Sequence, residues 1–231
     1  MKIIDIERDE WTAFAWAFCY FFFLLCAYYV LRPVRDEMGI QSGIKNLPWL
    51  WTGTFVGMLL ITPLFGWISS RWPRRIFLPL VYFFFIANLI AFYFAFNTDI
   101  VAKTIVAPAF YVWISVFNYF VVSVFWSFMT DVFSTERAKR LFGGIAAGGS
   151  IGAMTGPTIT AALVKTVGVA QLMLISAALL GFAVVCICGL SHWARTRTDM
   201  SDAERLVAQQ KEQALGGGML EIGRASCRER V

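Results

Sequence analysis

The chain has 231 residues, 58% of them hydrophobic, 16% aromatic and only 15% charged, with a formal net charge of +5 and a mean hydropathy of +0.65. A soluble domain carries roughly 25% charged residues, so the composition excludes an ordinary soluble enzyme or a nucleic-acid-binding domain. It points instead to an all-α integral membrane protein, in which the placement of the basic residues matters more than their sum.

Residues 1–10 carry more acidic than basic groups, and the apolar run behind them is too long for a cleavable signal peptide. They read as a cytoplasmic N-terminus. A bilayer-spanning helix needs about 20 largely apolar residues. Six stretches qualify: Trp11–Leu31, Pro48–Ile68, Ile76–Phe96, Thr104–Met129, Leu141–Val164 and Val169–Leu190.

The first segment ends in Arg32, Arg35, Asp36 and Glu37. Charge near membrane depth is costly and is usually paired or functional. Arg32 and Asp36 have the four-residue spacing of a helical pair, and Pro33 between them implies a kink or the start of a new turn. Two readings of Arg35 stand. A guanidinium binds carboxylate or phosphate through a bidentate fork, or the group is an interfacial anchor reaching headgroups and water.

The second and third segments are joined by Gly66–Arg75, which holds Arg71, Arg74 and Arg75. Phe21–Phe23 and Phe83–Phe85 read as lipid-facing bulk. On the fourth segment Ser115, Tyr119, Ser123 and Ser127 recur every fourth residue and lead to Asp131, with Asn118 beside them. Such a polar stripe suits a wall facing water or substrate. It equally suits ordinary packing, with serine hydroxyls bonded back to the preceding turn. Trp113, Tyr119 and Trp126 are available for stacking or cation–π contacts.

The fifth segment carries Gly144, Gly148, Gly152 and Gly156 at every fourth position, followed by Pro157. In a soluble helix each glycine would cost about 1 kcal/mol relative to alanine. In a membrane the stripe makes a flat face on which another helix backbone can lie. After the sixth segment, residues 191–220 turn polar and are broken by Gly216–Gly218, as expected of a cytoplasmic connector to a second half. Glu221–Val231 resembles the translation of a sequencing adaptor and reads as an artefact, so the natural chain is expected to continue, by about another 200 residues with six more spans.

Topology follows from the basic residues. Arg71, Arg74, Arg75, Arg137, Lys139, Arg140, Arg195 and Arg197 lie on one side, whereas Lys103 and Lys165 are the sparse counterparts on the other. The positive-inside rule places both ends of the six-segment unit in the cytoplasm; Arg32, Arg35 and Lys45 are the exception. Enzyme chemistry has little to work with. His192 is the one histidine, there is no Gly-Lys-Ser phosphate loop, and Cys186-Ile-Cys188 lacks metal-ligand spacing. No metal, cofactor or catalytic residue is expected, and the cysteines within the apolar segments read as small hydrophobes.

Two of these stretches resemble signatures of the major facilitator superfamily. One is Gly66-Trp-Ile-Ser-Ser-Arg71-Trp-Pro-Arg74-Arg75, with Ser70 where the pattern has Asp; the other is Gly152-Ala-Met-Thr-Gly156-Pro157. Within it, Leu31-Arg32-Pro-Val-Arg35-Asp36, Phe125-Trp126-Ser-Phe128 and Ala138-Lys139-Arg140 are similar to stretches of the ATP/ADP translocase branch. The resemblance implies the N-terminal six-helix half of a twelve-helix secondary transporter in a bacterial inner membrane. Helices one and four would line the cavity, with Arg35, Ser115, Asn118, Tyr119 and Ser123 against a small organic anion such as a nucleotide. Gly66, Arg71, Arg74 and Arg75 would brace the two halves, and Gly148, Gly152, Gly156 and Pro157 would lie near the interface between them. Its partners would be the lipid bilayer, the small-molecule substrate and the second half of the same chain. A drug or metabolite exporter of the same fold, or a non-transporting sensor or assembly protein, would share most of these features.

Overall fold

The computed structural model describes residues 10–71, 74–98 and 102–196, apart from the side chains at 44, 64–65, 67–71, 74–76, 103 and 195–196. The N-terminal segment before Glu10, most of the connector and the adaptor-like end lie outside the described residues, as do the side chains of Ser70, Arg71, Arg74 and Arg75.

The described chain is all-helical: α1 (Trp11–Gln41), a 3₁₀ turn (Ile44–Asn46), α2 (Leu47–Arg71), α3 (Arg74–Asn97), α4 (Lys103–Val132), α5 (Thr135–Val167) and α6 (Val169–Thr196). These helices overrun the apolar windows expected from the sequence, because a helix does not stop where its lipid-facing stretch stops. α1 continues through Pro33 to Gln41, so Arg32 and Arg35 are helical; α5 begins before Leu141, so Arg137, Lys139 and Arg140 lie on its first turns rather than in a loop. Gly168, at φ 85°, takes a positive-φ conformation that glycine adopts without strain, ending α5 and letting α6 start one residue later.

Among the described residues, four helical stretches are long and apolar enough to cross a membrane: Trp11–Gln41, Phe77–Asn97, Thr104–Val132 and Val169–Ala194. The described apolar part of α2, Leu47–Pro63, is shorter, and α5 replaces bulky apolar residues with glycine and so falls short in hydropathy.

α1 is the axis of the bundle. It packs most extensively on α5, then on α6 and α4, while α3 closes the far side against α6 and α2 rests mainly on α4. The α1–α5 contact explains the glycines. A methyl group at Gly148 would lie 2.7 Å from the Phe18 carbonyl oxygen, and one at Gly156 would lie 2.7 Å from Tyr29 Cβ; one at Gly152 would collide with the Phe22 carbonyl. Gly149 is closed off by the Phe21 ring in the same way. The stripe therefore lies on the backbone of α1.

Pro33 leaves the Tyr29 carbonyl without its helical N–H donor. In the adjoining turns, hydroxyls from neighbouring helices add donors: Thr160 Oγ1 to the Val30 carbonyl at 2.7 Å and Ser176 Oγ to the Ala27 carbonyl at 2.8 Å, both buried. Such cross-helix donors hold a proline-interrupted helix together in hydrocarbon.

The aromatic clusters divide between core and surface. Phe83 and Phe84 are exposed, as expected of lipid-facing bulk, but Phe21 and Phe85 are core. Phe21 stacks on Phe125 at 4.1 Å, and Phe85 meets Phe117 edge-on at 4.8 Å. A helix turns about 100° per residue, so three consecutive rings cannot all face lipid.

Tyr20 and Tyr82, both fully buried, share a 2.5 Å hydrogen bond between their hydroxyls and so tie α1 to α3. Tyr20→Phe or Tyr82→Phe alone should lower stability by about 1–3 kcal/mol, because the surviving hydroxyl loses its partner without regaining water. The double substitution should cost less than the sum. Thermal unfolding in detergent checks this, and strict additivity would show that the hydroxyls are not coupled.

At the other end of α1, Glu10 is fully buried and receives Arg137 Nε at 3.1 Å and Arg140 Nη2 at 3.0 Å from the first turns of α5. The acid at the start of one helix thus fixes the start of its main partner.

Candidate functional site

α1 and α4 run antiparallel. Residue 35 of α1 lies opposite 111 and 115 of α4, and residue 21 lies opposite 125 and 126. This register sets Arg35 against the start of the polar stripe. Its Nη1 reaches Ser115 Oγ at 3.4 Å, and its guanidinium carbon lies 5.2 Å from the centroid of the Tyr111 ring. Ser115 is buried and donates its own proton to the Tyr111 carbonyl at 2.9 Å, which leaves the hydroxyl oxygen free to accept from Arg35. Tyr111 is fixed in turn by α2, where Trp51 Nε1 donates to its hydroxyl at 3.1 Å. The guanidinium of α1 is therefore held by α4, whose Tyr111 is held in turn by α2.

The outward side of Arg35 faces Asp36. Nε and Nη2 both donate to Asp36 Oδ1, at 3.0 and 2.7 Å. The Arg35 side chain is 19% exposed and that of Asp36 53%. Arg35 thus has a buried side clamped by Tyr111 and Ser115 and an outer side covered by one solvent-reaching carboxylate.

This corrects the expected Arg32–Asp36 pair. Arg32 lies over the Tyr29 ring at 5.3 Å, while Asp36 engages its chain neighbour. A four-residue spacing permits a pair, but Tyr111 and Ser115 hold Arg35 where Asp36 can reach it.

The rest of the stripe is less unified. Ser123 bonds back to the Tyr119 carbonyl at 2.8 Å, the packing alternative for a helical serine. Tyr119 is exposed, and Asn118 beside it is half-buried with no side-chain hydrogen bond among the described residues. Trp113 lies off the stripe: it stacks on Phe117 at 5.4 Å and joins Phe85 and Phe92 at the α3 side. Trp126 packs on Phe21, Phe125 and Phe142. Of the five proposed substrate contacts, the structure joins Arg35 to Ser115 directly and leaves Asn118, Tyr119 and Ser123 further along the same helix. Gly66 is exposed on α2, and Pro157 lies inside α5 one turn from the Thr160 hydroxyl bond.

Tyr111 and Trp51 were not expected in the site. Tyr111 could have been found by carrying the every-fourth-residue stripe one turn back from Ser115. Trp51 has no comparable local signal, since its role depends on how α2 settles on α4.

No family model matches the chain, and no solved structure matches it. Over 99 residues, 41% of this chain, it is 29% identical to ADP,ATP carrier protein 2 of Chlamydia pneumoniae, and the match spans 17% of that carrier's length. The likeness is to a transporter, and among the described residues four helices are long and apolar enough to cross a bilayer, as in an integral membrane protein.

Proposed function

We propose that the chain is the N-terminal, six-span half of a major-facilitator-type secondary transporter, moving a small organic anion by alternating access. Nucleotides are the most specific substrate class, favoured by the likeness to an ADP,ATP carrier. In this reading α2 and α5 also cross the bilayer, both chain ends of the half are cytoplasmic, and a second half completes the cavity. Energy comes from an ion or exchange gradient.

One observation carries the proposal: Arg35 is held by Ser115 and Tyr111 on its inner side, while its outer side is covered only by a half-exposed carboxylate. An anchor needs no such clamp, because headgroups and water suffice. A fork held in one orientation is what recognition of a phosphate or carboxylate requires.

The product of the intact gene, reconstituted in liposomes preloaded with ADP, should take up labelled ATP or ADP in exchange. Absence of flux with nucleotides, phosphate and organic acids alike would overturn the transport reading in favour of a sensor or assembly role.

A further inference from the structure

We infer that Asp36 is a built-in counter-ion for Arg35, holding the guanidinium fork while the site is empty and yielding it to the anionic group of the substrate. Resting on the anion-site reading above, this makes Asp36 a determinant of affinity that contributes no contact of its own to the ligand.

The geometry separates Arg35's two sets of partners. Ser115 and the Tyr111 ring belong to α4, and Tyr111 is further tied to α2 through Trp51. These partners sit on helices other than the one that carries Arg35. Asp36 is a chain neighbour on α1, and only its Oδ1 meets Arg35, taking both Nε and Nη2. Successive helical residues diverge around the axis, so this contact depends on two side chains bending toward each other. Asp36 is 53% exposed, so water can solvate its carboxylate once it swings away.

The chemistry of exchange fits the two N–H groups that Asp36 occupies. A phosphate or carboxylate oxygen can accept from Nε and Nη2 in the same side-on manner. Ser115 and Tyr111 keep the fork aimed outward while the Asp36 carboxylate and the ligand anion trade places. Charge stays balanced in the empty state, which lowers the cost of carrying an arginine at the end of a membrane-embedded helix. Binding then replaces one exposed ion pair with a ligand contact.

An exposed pair of this kind is weak, so removing it should have a modest effect of definite sign. In the complete protein in detergent, Asp36→Asn should tighten binding of both ADP and inorganic phosphate by roughly 2- to 5-fold, and Asp36→Glu should bind as wild type because it keeps the carboxylate. Size-exclusion profiles check that both variants fold. If Asp36→Asn binds no better, or binds more weakly, while Arg35→Ala abolishes binding, then Asp36 orients Arg35 and the counter-ion role is wrong, with the anion site intact. If Arg35→Ala binds ADP and phosphate as wild type does, the anion site itself fails, and this inference with it.

Discussion

Gly152→Leu is expected to prevent the bundle from folding to a monodisperse protein in detergent. Even the first side-chain carbon at this position collides with the Phe22 carbonyl, and it would lie 3.1 Å from the Cys26 amide nitrogen. Both obstacles are backbone, so no rotamer change relieves them. α1 and α5 would have to separate along their whole contact, which also carries Gly148, Gly149 and Gly156. Overpacking a core typically costs about 1–3 kcal/mol. With backbone as the obstacle the cost should reach or exceed about 3 kcal/mol, a large share of a domain's roughly 5–15 kcal/mol. Gly143→Ala is the control. Nothing lies within 4 Å of a side-chain carbon there, so the gain in helix propensity should leave stability unchanged or raise it by up to about 1 kcal/mol.

Thermal midpoints and the monodisperse fraction read the contrast. A Gly152→Leu protein that unfolds at the wild-type temperature would show that α1 does not lie on this stripe. Because the partner face is α1 of the same bundle, insertion and any transport should fail together. A stripe that met only a second half would instead spare insertion.

Arg35→Ala is expected to lower kcat/KM for anion uptake by about 30-fold or more while leaving insertion and yield near wild type. Truncating one member of a desolvated charged contact commonly costs 2–5 kcal/mol, each 1.4 kcal/mol being a factor of ten. Part of this loss comes from geometry as well as charge, since Ser115 and Tyr111 then have no guanidinium to aim. Arg35→Lys separates the two contributions. An ammonium keeps the charge but cannot offer the planar fork to an anion, so it should recover only a fraction of the activity. Full activity in Arg35→Lys would mean that charge alone matters, and full activity in Arg35→Ala would return the residue to the role of an interfacial anchor.

The positions of the helices were legible in the sequence because apolar length is a local property. Every expected segment lies within an observed helix, and the disagreements are confined to ends such as Leu31 against Gln41 in α1. Where an end was underestimated the reason is the same: hydropathy fades in the polar turns, while backbone hydrogen bonding continues through them. By the same measure four of the described helices reach spanning length and hydropathy, while α5 is rich in glycine and the described apolar part of α2 is short.

The candidate site was legible in its residue types and not in its pairings. An arginine after an apolar run and a stripe repeating every fourth residue are visible in one dimension, and so Arg35 and Ser115 could be named. That Asp36 would go to Arg35 while Arg32 lay over Tyr29 depended on where α4 placed Tyr111 and Ser115. Phe21 and Phe85 were misplaced for a related reason: a cluster of rings announces bulk, but helix rotation decides which ring faces a neighbour.

What the sequence determined by itself was a membrane-embedded helical protein, a glycine face made for close approach, and a clustered charge at the end of the first helix. These follow from periodicity and from the cost of charge in hydrocarbon, both set within a few turns. Tertiary structure alone decided that α1 fills the glycine face, that Tyr20 meets Tyr82, and that Glu10 is buried beneath Arg137 and Arg140. Those contacts join residues 62 to 130 positions apart. No local pattern encodes them, because each exists only where two whole helices settle side by side.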